Sequence, residues 1–212
     1  MALKLKGSTS GFTAIDAPAT AGDNTLVLPA DNGSASQYLQ TNGSGVLSWA
    51  TVTDTTGWTW DTTGTSLTGS SVSVTGIPSD AKIVSCFING LSHDSTNDLI
   101  FRVGTSSGAV TSGYKVGAGY IGASSVASTQ RTTGFQGYAT GTASKNWNMR
   151  FTLTNINGNT WWGENITVAD DSGDTHFMWG KVDVGGTLDR VVFTMVSGNY
   201  DAGTVFVHYF TP

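Results

Sequence analysis

Apolar and polar positions alternate along much of the chain beyond residue 57, and that period of two predicts strands. In "NWNMRFTLTNI", Trp147, Met149, Phe151 and Leu153 fall on one face, with Asn148, Arg150, Thr152 and Thr154 on the other. In "TVFVHYF", Val205, Val207 and Tyr209 alternate with Phe206, His208 and Phe210. Further strand-like runs are "GWTWD", "SVSVTGI", "KIVSCFING", "DLIFRVG", "GYKVGAGYIG", "RTTGFQGYA", "NTWWGENITVA", "HFMWGKVDV" and "TLDRVVFTMVS". They recur about every ten residues between turn-forming clusters. No segment has the 3.6-residue period of an amphipathic helix. The pattern predicts an all-β chain in which residues 57–212 form a jelly-roll-like β-sandwich.

Residues 1–55 read differently. They are polar, punctuated and poor in large apolar side chains. The pattern predicts one short strand from Thr25 to Leu28, stopped by Pro29, and a hairpin in "QYLQTNGSGVLSW". There Tyr38 and Leu39 precede Asn42-Gly43-Ser44-Gly45, and Val46, Leu47 and Trp49 follow. Asn-Gly supplies the positive φ angles of a tight turn. Such fragments cannot bury enough surface alone, so they are expected to order against another chain.

Composition sharpens this picture. Of 212 residues, only 12% are charged, against the usual quarter or so. Gly contributes 28 residues and Pro only 4, which suits many turns and no proline-rich linker. The net charge of −5, with no basic run, argues against nucleic acid and against an anionic membrane surface. The opening "MALKLKGSTSG" lacks the apolar stretch of a signal peptide, and no run is long enough to span a bilayer. Synthesis in a cytoplasm without membrane insertion is the expectation. A single Cys86 excludes an internal disulfide. Its apolar neighbours make it a buried small hydrophobe rather than a reactive thiol.

Candidate chemistry is sparse. "GAGYIG", Gly117 to Gly122, fits a dinucleotide-binding spacing, but "ASSVASTQR" after it is no helix and no acid follows within some twenty positions. Its glycines read as strand twist and loop. "ADDSGD" gathers Asp170, Asp171 and Asp174 on a turn, a weak calcium candidate, and "HDSTND" holds Asp94, Asn97 and Asp98. Neither matches the helical calcium loop, and turn formation accounts for both. No cofactor is expected. His93 and His176 read as solvated turn residues, and His208 as a strand residue able to face a symmetry axis. No pair of His or Cys has metal-ligand spacing. No G-x-S-x-G elbow occurs, and Glu164 is the sole glutamate, so no acid–base pair stands out. The chain is expected not to be an enzyme; a small polysaccharide-degrading enzyme is the alternative of another class. Trp58 and Trp60 should share one side of a strand, while Trp161 and Trp162 should point to opposite sides. Trp161, Trp162 and Tyr138 are the candidates for glycan or surface contact.

The run "LKLKGSTSGFTAIDAPATAGDNTLVLPADNGSASQYLQTNGSGVLSWATV" resembles N-terminal segments of tailed-phage virion proteins, of the tail-fibre, head-fibre and capsid-decoration types known from marine phages and cyanophages. "LPADNGSASQYLQTNGSGVLSW" is its most specific part. "GLSHDSTNDLIFRVGTSSGAVTSGY" resembles, more loosely, a β-rich domain of phage virion proteins. The resemblance implies a homotrimer on the virion surface, assembled in the host cytoplasm. Residues 1–55 would be the attachment and trimerisation segment, with Tyr38, Leu39, Leu47 and Trp49 as inter-chain or virion contacts. Residues 57–212 would form the displayed head. Its partners would be capsid, portal or tail proteins and a host cell-surface glycan. The short chain, without shaft repeats, fits a decorating knob or short fibre; a tail-fibre or tip receptor-binding protein is the alternative.

Overall fold

The computed structural model describes residues 3–16, 18–20, 22–52, 57–122, 126–137, 143, 145–170 and 174–212. The chain divides into two compact units, Met1–Asp54 and Thr55–Pro212. Every regular element among the described residues is a strand.

The first unit holds two hairpins. β1 (Leu3–Lys6) pairs antiparallel with β2 (Phe12–Ile15), and β3 (Gln37–Thr41) with β4 (Leu47–Thr51). The β3–β4 turn forms at the expected place, but as a longer loop closed by the Asn42 N–H on the Val46 carbonyl, and Asn42 itself does not take a positive φ. Gly43 and Gly45 take positive φ, and the Asn42 side chain accepts the Ser44 N–H at 2.8 Å. The β1–β2 hairpin has no forerunner in the sequence reading, although "LKLK" alternates. The expected strand from Thr25 to Leu28 does not form. Only Val27 makes a bridge, parallel, to Val46. "TLVL" is a continuous apolar run with no neighbouring strand to extend the ladder, and Leu26, Val27 and Leu28 all stay exposed.

The second unit is a β-sandwich. Its strands are β5 (Gly57–Thr59), β6 (Thr65–Ser66), β7 (Ser71–Thr75), β8 (Ile83–His93), β9 (Leu99–Thr105), β10 (Gly108–Ala109) and β11 (Lys115–Ile121). They continue with β12 (Val126–Arg131), β13 (Phe135–Gln136), β14 (Trp147–Asn157), β15 (Thr160–Ala169), β16 (Thr175–Asp183), β17 (Arg190–Met195) and β18 (Tyr200–Thr211). A nine-stranded sheet runs β12-β11-β16-β15-β14-β8-β18-β5, with β6 also on β18. A five-stranded sheet runs β10-β9-β17-β7, with β13 also on β9. All the pairings are antiparallel. The alternation read from "NWNMRFTLTNI" is realised: Trp147, Met149, Phe151 and Leu153 are buried.

Rings from both sheets meet in the core. Phe101 of β9 lies 5.2 Å from Phe151 of β14 and 5.4 Å from Phe193 of β17. Phe135 also reaches Phe151, at 5.2 Å. Gly163 of β15 admits that packing, because a Cβ there would sit 2.5 Å from the Phe135 ring. Tyr114 is satisfied inside: its hydroxyl accepts the Val103 N–H and donates to the Val110 carbonyl, each at 3.0 Å. Burial pushes its pKa up to about 12. Cys86 is fully buried, and burial drives its thiol pKa well up, as expected of a core residue.

Candidate functional site

One face of the nine-stranded sheet covers the core; the other carries an unusual density of exposed rings. Along β15 the burial alternates without a break from Trp161 to Ala169. Trp162, Glu164, Ile166 and Val168 point outward. Register places Lys181 of β16 opposite Trp162, Trp179 opposite Glu164, and Phe177 opposite Ile166. On the far side of β16, β11 sets Lys115 opposite Lys181, Gly117 opposite Trp179 and Gly119 opposite Phe177.

The two glycines explain how the rings lie. A Cβ at Gly119 would sit 2.8 Å from the Phe177 ring, and one at Gly117 would sit 3.8 Å from Trp179 Nε1. Phe177 and Trp179 therefore pack against a strip of bare backbone. They stack with centroids 5.2 Å apart and planes 13° from parallel. "GAGYIG" thus lies largely on strand β11, ending just past it, and two of its glycines make room for aromatic side chains from about sixty residues downstream.

Trp162 and Trp179 form a wall between two hollows. One, of about 370 Å³, is also lined by Arg150, Thr152, Glu164 and Phe177. The other, of about 530 Å³, lies over Gly117 and is also lined by Lys115, Ser128, Gln130 and Lys181. Trp162 is 36% exposed and Trp179 49%.

A second aromatic cluster occupies the other end of the same sheet. Trp58 and Trp60 do share a side, with centroids 5.8 Å apart. Trp60 lies 4.8 Å from His208, which also meets Phe87 at 5.3 Å. His208 is buried beneath them, and its Nδ1 accepts the Asp61 N–H at 2.9 Å. Asp61 pins this edge. Burial raises its pKa, but the backbone N–H groups of Gly64, Val207 and Thr63, and then His208, outweigh that and hold it below 3.8.

The sequence candidates fare unevenly. Trp162 is on the surface, but Trp161 is 4% exposed and belongs to the core, so it has no face to offer a glycan. Strand alternation decides between these neighbours. Tyr138 and Asp171 lie outside the described residues. Asp174 pairs with Lys145 at 2.8 Å, and Asp170 accepts a hydrogen bond from Asn148. No group of three or more His, Cys, Asp or Glu able to hold a metal forms among the described residues. Asp94 receives Asn199, and Asp98 pairs with Arg131 at 2.6 Å, so both serve the fold.

His93 and His176 are not solvated; both are buried strand residues. His176 stacks on Tyr120 and meets the edge of Trp147, while His93 Nδ1 accepts the Ser95 N–H. Their polar sequence neighbours point the other way across the sheet or lie in the adjoining turn. In the first unit, Leu39, Leu47 and Trp49 come to one face of the β3–β4 hairpin, since Leu39 pairs with Trp49 and Thr41 with Leu47. Tyr38 points to the opposite face. The Trp49 indole donates to the Asp31 carbonyl at 3.0 Å. Sequence reasoning missed Trp179 and Phe177, whose role appears only once β16 is registered on β11.

No family model and no curated protein matches the chain. A solved structure of infectious bursal disease virus, Gt strain, aligns with 98% of this chain and 50% of its own at 10% identity. Its TM-score is 0.08, too low to carry any argument about fold or function. This chain spans about half the length of that one.

Proposed function

We propose that this chain is a structural and binding protein of a phage particle surface. In this reading it is a homotrimeric knob or short fibre, anchored by residues 1–55 and displaying residues 57–212. One observation carries the reading. None of the described residues in the first unit is buried, while Leu3, Leu5, Phe12, Ile15, Leu26, Leu28 and Leu39 stand exposed. Two hairpins with apolar side chains and no core are what a segment looks like when its packing partners are other chains. The resemblance of "LPADNGSASQYLQTNGSGVLSW" to phage attachment segments supports the same reading.

Light scattering on the purified chain tests it. A native mass near three times the 22.0 kDa subunit is expected. A monomer at micromolar concentration overturns the trimer. Immunogold labelling of purified particles then tests the location, and absence of label overturns the surface assignment.

A further inference from the structure

We infer that the hollow over Gly117, walled by Trp162 and Trp179, binds an acidic glycan; this names a ligand for the surface role proposed above and rests on it. Three observations converge. The first is a fixed aromatic platform. The Trp179 indole is exposed yet held parallel to Phe177 over a glycine strip, so a flat apolar face is presented at little entropic cost. Pyranose rings offer a complementary patch of C–H groups.

The second is the polar rim. Ser128 and Gln130 are exposed along β12 beside Gly117, and Trp179 Nε1 is directed over that glycine. These donors and acceptors suit the hydroxyls at a sugar's edge.

The third is charge. Lys115 and Lys181 face each other directly across β11 and β16, an arrangement that destabilises a sheet. Neither lysine has an ion pair among the described residues, as is also true of Lys4, Lys6, Lys82, Arg102 and Arg150, so it is the direct opposition of the two that marks this place. Two opposed lysines at one end of an aromatic hollow, in a chain of net charge −5, form a local cationic site. An anionic substituent on the sugar, such as a uronate carboxylate, relieves the repulsion. Two lysines make no basic track, so a nucleic-acid strand fits less well.

Affinity electrophoresis of the full chain tests this, in native gels cast with polygalacturonate, neutral dextran or polyglutamate. Polygalacturonate alone is expected to retard the protein. Trp179→Ala should weaken that retardation about tenfold. Lys115→Gln with Lys181→Gln should abolish it. Gly117→Ala adds a Cβ to the floor of the hollow at ordinary contact distance, 3.8 Å, from Trp179 Nε1. Gly117→Val adds two further methyl groups there, so retardation should weaken stepwise from Gly to Ala to Val, with the Ala variant's melting temperature unchanged.

Several results overturn the inference: no retardation by polygalacturonate, equal retardation by dextran or polyglutamate, or variants that bind like the parent chain. Displacement of polygalacturonate by oligothymidylate would make the hollow a nucleic-acid site. A lower native mass in Gly117→Val would make it a contact between copies. A trimer that ignores polygalacturonate sinks the glycan alone. A monomer that binds it sinks the assembly alone.

Discussion

Both units carry large apolar side chains, more sparsely in the first, and put them to opposite uses. In Thr55–Pro212, Phe101, Phe135, Phe151 and Phe193 come from two sheets and meet in one buried cluster. In Met1–Asp54, Leu5, Phe12, Leu28 and Leu39 have no such meeting point and stay exposed. Beyond the sparser apolar content of the first unit, the difference is one of chain length and strand number. Two isolated two-stranded hairpins cannot enclose a side chain, whereas stacked sheets of nine and five strands can. Apolar content alone therefore does not say whether a segment stands by itself; the number of strands available to cover each face does.

Changes to the core of the second unit should break this contrast hardest. Phe151→Ala should cost the sandwich about 3–5 kcal/mol, read by chemical denaturation, because it removes a ring from the centre of the inter-sheet cluster. A loss below 1 kcal/mol would mean that the two sheets do not depend on that cluster. Tyr114→Phe should cost about 1–3 kcal/mol, because it strips the buried Val103 N–H of its acceptor.

Asp61→Asn should matter less, and in a pH-dependent way. The folded-state pKa of Asp61 lies below its ordinary value of 3.8. Its stabilising contribution is therefore complete above that value and is lost as pH falls through the lower folded pKa. Melting temperatures of parent and variant should differ at pH 6 and converge at the acid end. A gap that persists at the lowest accessible pH would assign the effect to packing.

The smallest effect on the sandwich should come from Leu39→Ser with Leu47→Ser. The main melting transition should move by no more than about 0.5 kcal/mol. If the chain assembles as proposed, native mass should nevertheless fall, since these side chains share the hairpin face with Trp49. A stable trimer in that variant would remove this face from the assembly.

The sequence disclosed the strands of the sandwich well because period-two patterns such as that of β14 are local. The place of the β3–β4 turn was legible for the same reason, since "NGSG" is a local signal, although the positive φ angles fall on Gly43 and Gly45 and not on Asn42. β12 was not, because "VASTQR" has too little apolar character to announce a strand that pairs only on one side. The site was half visible. Adjacent tryptophans must split between two faces, so one of Trp161 and Trp162 had to reach the surface. Nothing local said that Trp179 would lie beside Trp162, or that Gly117 and Gly119 would receive the rings of β16. The first relation depends on the register of β16 on its chain neighbour β15, and the second on its register on β11, some sixty residues away. The histidines failed for a related reason: His176 follows the polar Asp174 and Thr175 but opens the apolar run "HFMW", and its ring partners Tyr120 and Trp147 come from other strands.

Cys86 gives the molecule a clock of its own. The thiol is solitary, fully enclosed and central on β8, with β14 and β18 on either side. An aromatic disulfide reagent can reach it only when those strands part, so its colour change times the opening of the sheet. With the reagent in excess, the labelling rate should level off at the opening rate, and that plateau should rise in Phe151→Ala. The same reaction run with Leu39→Ser and Leu47→Ser would tell whether changing the hairpin face alters the opening of the sandwich.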